Sequence, residues 1–249
     1  MKELLALSIG FLFLLSCTNN QKQEQEQEVV VVEPEINVES KIDKRTEIDF
    51  TVFKDIVLLN PDTVDNDARL MDALKKRQST RKYAEENLSL EQLSNLLWAA
   101  YGINRIDGRR TSPSTYACYP ITIYAVFSTG IYEYEPEINL LQAIAEGDYR
   151  TSTGEEFMYN APLNLLFVAD MNKYVNFSFI PEDILVRHAM ADAAYSSQNI
   201  YLYCAASNFA TVARVTDIDE PKLLQLLKLD NKKHKILLAQ TVGYKLGIK

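Results

Sequence analysis

The segment from Asp183 to Ser207 constrains this chain more than any other. It reads as the longest helix, and Ala189, Ala193, Ala194, Ile200, Leu202 and Ala205 spread apolar surface nearly all round it. A helix without a polar face must be covered on every side. It belongs in the middle of a domain or at a subunit interface.

The segments around it mix helices and strands. Asp67 to Lys76 has helical spacing, with Leu70, Met71 and Leu74 on one face. Ser89 and Gln92 form a capping-box pair ahead of the stripe Leu90, Leu93, Leu96, Leu97 and Ala100, and Gly102 ends that helix. An irregular stretch runs from Asn104 to Pro120. Ile121 to Ser128 reads as a strand, Thr129-Gly130 as a turn and Ile131 to Tyr134 as its hairpin partner. Ile138 to Ala145 reads as a short helix. Leu163 to Ala169 reads as an apolar strand, buried on both faces, with Asn164 its one polar residue. Thr211 to Val215 and Ile236 to Tyr244 are further strands, with a helix at Leu223 to Leu229. There is no regular βαβ alternation and no internal repeat, so the expected class is α+β.

The N-terminus stands apart. Leu4 to Leu15 is almost wholly apolar, yet shorter than the ~20 residues a bilayer span needs. It ends in Leu14-Leu15-Ser16-Cys17, the pattern of a bacterial lipobox. Residues 1–17 are therefore expected to be a lipoprotein signal peptide, with Cys17 lipidated. The Gln/Glu run from Gln21 to Glu28 and the Glu33-Pro34-Glu35 break cannot build a core. Residues 18–50 are expected to be a disordered tether, and 51–249 the folded domain. The expected location is outside the cytoplasm, anchored to a bacterial membrane on its periplasmic side or at the cell surface. A net charge of −8 without a basic stripe argues against nucleic acid. Besides Cys17 there are Cys118 and Cys204, and Cys204 reads as a buried small hydrophobe.

No catalytic constellation is visible. His188 and His234 are the only histidines, and neither has a triad or metal set nearby in sequence. Phosphate-loop and dinucleotide fingerprints are absent. If the chain is an enzyme, a bound cofactor supplies the reactivity. The run Arg77-Gln78-Ser79-Thr80-Arg81 follows directly on a helix. Its two arginines and serine could donate to a phosphate, or could be a basic helix end favoured by the dipole.

Arg-x-Ser-x-Arg at this place resembles the opening signature of the FMN-dependent nitroreductase family. Arg110-Thr111-Ser112-Pro113-Ser114 and Tyr119-Pro120 before a strand resemble the family's second block. Leu97-Trp98-Ala99-Ala100-Tyr101-Gly102-Ile103-Asn104 is similar to its azoline-dehydrogenase-like branch. Gln198-Asn199 with Ala205-Ala206, and Val242-Gly243-Tyr244, resemble its central helix and closing strand.

The resemblance implies a central mixed sheet flanked by helices and a homodimer with two FMN sites at its interface. It implies two-electron transfer through flavin N5, to or from a small-molecule substrate. Arg77 and Ser79 would hold the FMN phosphate, Gln78 would lie beside the ribityl chain, and Arg81 near the pyrimidine. Pro113, Ser114 and Thr115 would reach the flavin of the other subunit. Asp148 would accept the flavin N3–H, and the backbone of Ala213, Arg214 and Val215 would face N5. Lys245 and Lys249 are the basic residues left after the closing strand, with Lys245 assigned to the phosphate. The chain departs from the family at Ala117 and at Tyr119-Pro120-Ile121. It also carries Asn208-Phe209-Ala210 where glycines are common, so that loop is expected to be rearranged. Export would separate the protein from cytoplasmic nicotinamide donors. That leaves a membrane quinol, a partner protein or a substrate dehydrogenation, or else a non-catalytic flavin-binding or interaction lipoprotein.

Overall fold

The computed structural model describes residues 48–61 and 69–247. The expected signal peptide, Cys17, most of the tether, the first residues of the first expected helix and Lys249 lie outside them. The elements are β1 (Ile56–Val57), α1 (Leu70–Lys76), α2 (Leu90–Tyr101), β2 (Ile121–Val126), β3 (Gly130–Glu135), β4 (Leu140–Glu146), β5 (Leu163–Asp170), α3 (Glu182–Ala206), β6 (Phe209–Arg214), α4 (Glu220–Leu226) and β7 (His234–Tyr244). The strands make one seven-stranded sheet in the order β1-β4-β3-β2-β5-β7-β6. The α+β class and the central sheet flanked by helices stand as expected. Every pairing between these strands is antiparallel.

β5 lies inside the sheet between β2 and β7, and its period-two alternation splits the core in two. Leu165 and Phe167 face α2 and α3, where Leu93, Leu97, Ala189, Ala193 and Ile200 complete the larger core. Leu166 and Val168 point the other way, against Leu223 and Leu227 at the α4 side. With both faces covered, no position of β5 before Asp170 reaches solvent. That accounts for its apolar sequence, which only Asn164 interrupts before Asp170. Each fully buried Leu or Phe contributes about 1.5–3 kcal/mol. The capping box at Ser89 forms as expected, and the Gly102 N–H closes α2 on the Trp98 carbonyl.

Two expectations fail. Residues 138–145 were expected to be helical, because Leu, Ala and Gln favour helices. Leu140–Glu146 is instead strand β4, paired with β3. Asn139 takes φ 50°, a left-handed turn that Asn tolerates, and Leu140 returns opposite Glu135. Cross-strand pairing outweighs local propensity here. Second, α3 is not covered all round. Ala189, Ala193, Ser196, Ile200 and Cys204 are buried, while Ala194, Tyr195 and Gln198 are exposed. Leu70, Met71 and Leu74 of α1, which packs beside α3, are exposed too. Ile48 and Phe50, assigned above to the tether, pack against the core, with the Phe50 ring 4.9 Å from that of Phe127.

Candidate functional site

β6 closes one edge of the sheet, and the segment after α1 runs along that edge. The Thr80 N–H donates to the Thr211 carbonyl at 2.9 Å, and the Ala84 N–H to the Tyr244 carbonyl at 2.9 Å. The Tyr83 hydroxyl turns back onto the Thr80 carbonyl at 2.7 Å. Tyr83 also bridges Lys245, just past β7. Residues from three parts of the sequence thus meet at one place.

Tyr201 of α3 ties them together. Its hydroxyl lies 3.0 Å from Ser79 Oγ and accepts the Ala213 N–H at 2.9 Å. The Arg77 guanidinium lies over the Tyr201 ring, 5.4 Å from its centroid. The Arg81 guanidinium lies over Phe157 at 5.9 Å. Lys245 donates to Asn208 Oδ1 at 2.7 Å. Among the described residues, neither Arg77, Arg81 nor Lys245 forms an ion pair with a carboxylate. In a chain of net charge −8, this is an uncompensated group of cations with a hydroxyl among them. Such a set suits a phosphate. Gln78 beside it is exposed.

The expected 213–215 loop has a different form. Ala213 and Arg214 lie in β6, opposite Gln240 and Ala239, and Val215 follows, exposed. The Arg214 side chain turns inward. It donates to the Thr153 carbonyl at 2.9 Å, Thr153 Oγ1 at 3.1 Å, Thr241 Oγ1 at 2.7 Å and Asn164 Oδ1 at 3.2 Å. Burial lowers its pKa to about 10. Asp148 is occupied as well: Arg150 holds it through Nε at 2.9 Å, Nη2 at 2.6 Å and its backbone N–H at 3.1 Å. Burial alone would raise the Asp148 carboxyl, but the bonds from Arg150 leave it below the usual carboxylate range.

Pro113, Ser114 and Thr115 form a second group, fixed to α3 by Asp192. This fully buried carboxylate accepts Ser114 Oγ at 2.6 Å, the Thr115 N–H at 3.0 Å and Thr115 Oγ1 at 3.2 Å. Ser112 and Ser196 share a hydrogen bond of 2.9 Å beside it. The chain beyond is strained, with Tyr116, Ala117 and Tyr119 at φ 57°, 52° and 47°. Tyr116 is half exposed and stacks on Phe177 at 4.3 Å. Asp192 and Tyr201 are about two and a half turns apart on α3, or ~13 Å of rise. The two groups therefore do not converge on one point within a chain.

The 208–210 departure is resolved without a glycine. Asn208 itself takes φ 61°, and Phe209 and Ala210 enter β6 and the interior. The loop is not a bulky cover. Tyr201 and Asp192 were both missed in the sequence. The available signal was polarity inside an otherwise apolar helix, since a buried carboxylate must find donors. Among the described residues no His/Cys/Asp/Glu group could hold a metal ion, and no helix is long and apolar enough to cross a membrane. Cys118 and Cys204 are both free thiols.

Comparison with known proteins agrees with this architecture. Residues 74–244 match the model of the nitroreductase family. A Methanocaldococcus jannaschii protein assigned to the nitroreductases is 29% identical over 189 residues, covering 72% of this chain and 92% of its own. A crystal structure assigned to the same group, from Ralstonia eutropha, superposes with a TM-score of 0.71 at 34% identity, covering 78% of this chain and 91% of that one. A Desulfovibrio desulfuricans nitroreductase structure in complex with FMN shares the fold, with a TM-score of 0.52 at 17% identity over 72% of this chain and 88% of that one. The chain belongs to the nitroreductase family of FMN-dependent oxidoreductases.

Proposed function

We propose that this chain binds FMN at the β6 edge and uses it to oxidise or reduce a small molecule. The observation that carries this reading is the meeting of Arg77, Ser79 and the Ala213 amide around Tyr201, with Arg81 close by in the chain over Phe157 and no carboxylate paired to either arginine among the described residues. Arg77 and Ser79 would hold the phosphate, with Lys245 as a further cation. Arg81 would lie toward the pyrimidine, where reduction places negative charge. FMN, when bound, would supply two-electron chemistry at N5, and the proton that a dehydrogenated substrate gives up, or a reduced one takes up, would be exchanged with water. Asp148, already held by Arg150, is a poor acceptor for the flavin N3–H.

The working unit in this reading is a homodimer. The Pro113–Thr115 group lies ~13 Å along α3 from Tyr201, and in this reading it reaches the flavin of the other subunit, as the family resemblance implies. The exposed Leu70, Met71, Leu74 and Tyr195 supply apolar surface for that contact. A groove of about 360 Å³ lined by Leu70, Trp98, Leu202 and Tyr203 runs through the same area. The wording of residues 97–104 favours the azoline-dehydrogenase-like branch, in which the substrate is dehydrogenated. Such a reaction also suits a lipoprotein held outside the cytoplasm by Cys17, away from nicotinamide donors.

Titration of the cofactor-free chain with FMN, followed by fluorescence quenching, tests the site. Arg77→Ala should weaken binding by about 1.5–3 kcal/mol, the typical worth of a hydrogen bond to a charged group. Unchanged affinity in both Arg77→Ala and Arg81→Ala would overturn the assignment. For the anchor, Cys17→Ser should move the protein out of the detergent phase in a detergent partition. Identical partitioning would overturn the lipoprotein reading.

A further inference from the structure

Resting on that cofactor reading, we infer that Tyr201 is a positioning residue for the phosphate end of FMN, acting through Ser79 and Arg77. The geometry suits a one-way chain of donors. The Ala213 N–H can only donate, so the Tyr201 oxygen accepts from it at 2.9 Å. That leaves the Tyr201 hydroxyl proton free to donate to Ser79 Oγ at 3.0 Å. Ser79, its oxygen satisfied, then turns its own proton outward. Hydrogen bonds linked in one direction polarise one another, and this chain ends in a strengthened donor aimed at an anion.

The same side chain holds the cation. The Arg77 guanidinium lies over the ring at 5.4 Å, an attraction that restrains the arginine while leaving its N–H fork unspent. Ser79 is exposed and Arg77 half-buried, so neither would be ordered by packing alone. The tie to β6 does not depend on Tyr201, because Thr80 already donates to the Thr211 carbonyl. What the tyrosine adds is orientation of two phosphate donors from a rigid helix.

The test compares FMN with riboflavin, which lacks the phosphate, by titrating the cofactor-free full chain with each. Tyr201→Phe keeps the ring and loses the hydroxyl. It should weaken FMN about tenfold, because Ser79 loses the bond that orients its own proton toward the phosphate, and leave riboflavin affinity within about twofold. Adding Ser79→Ala to Tyr201→Phe should cost no more than Ser79→Ala alone, since both break one chain. Tyr201→Leu, which also removes the support of Arg77, should weaken FMN further and still spare riboflavin. Equal losses for FMN and riboflavin in Tyr201→Phe would make the residue merely structural and overturn the inference. So would unchanged FMN affinity in Tyr201→Phe when Arg77→Ala weakens it. If Arg77→Ala and Arg81→Ala are both without effect, the cofactor reading fails and takes the inference with it.

Discussion

The Asp192 carboxylate accepts the Ser114 hydroxyl at 2.6 Å, joining the centre of α3 to the loop after α2. The carboxylate is fully buried, and donors from Ser114 and Thr115 surround it. Removing it strands those donors next to a backbone already held at positive φ from Tyr116 onward. Asp192→Ala should therefore destabilise the fold by about 3 kcal/mol, with Asp192→Asn intermediate. Urea unfolding measures this, and a loss below ~1 kcal/mol in the alanine variant would contradict the account.

Phe209 is a core residue. It is buried against Tyr203 and Tyr244, with ring centroids at 6.2 Å and 5.1 Å. Phe209→Ala should cost about 3–5 kcal/mol in stability. It should not speed reoxidation of the reduced, FMN-loaded chain by a quinone under anaerobic conditions. Faster reoxidation in a stable variant would show instead that this side chain covers the cofactor.

Gly154 leaves room for the Arg214 side chain. A Cβ there would meet Arg214 Nε at 2.2 Å and Met158 Sδ at 2.8 Å, with φ at +154°. Gly154→Ala should displace the guanidinium from Thr153, Asn164 and Thr241, costing about 1–3 kcal/mol as an overpacked site. Calorimetry of the variant checks this, and a neutral result would mean that the arginine moves freely.

Glu133 on β3 gives a pH-dependent prediction. Burial, with Glu135 nearby, raises its carboxyl above the ordinary value of 4.5. The ionised form is therefore disfavoured in the folded chain relative to the unfolded one. That penalty is complete above the folded pKa and disappears below the unfolded value. Glu133→Gln should raise the melting temperature at pH 7, and the gain should shrink as the pH falls toward 4. A gain that is the same at both pH values would mean that ionisation is not its source.

Where a single local signal decided the structure, the sequence could be read directly. Ser89 and Gln92 announced the start of α2, and the apolar run Leu165 to Ala169 announced a strand covered on both faces. Leu140–Glu146 was misread because its residues favour a helix while its partner, β3, is fixed by tertiary pairing and by the turn at Asn139. The site divides in the same way. Arg77, Ser79 and Arg81 stand together in the chain and could be recognised as a group. Tyr201 and Asp192 act across more than a hundred and about eighty positions, respectively, and only the packing of α3 brings them to Ser79 and Ser114. Asp148 and Arg214 had suitable chemistry, but Arg150 and the interior claim them first.

The Thr80 N–H on the Thr211 carbonyl has a consequence beyond ligand binding. β6 is the outermost strand of the sheet, and an uncovered outer strand is a template on which another chain can add and aggregate. The Arg77–Tyr83 segment covers part of that template, at Thr211. If the proposed site is right, one short stretch serves both solubility and recognition, and a change that pulls it away to alter the ligand should also expose the sheet edge to self-association.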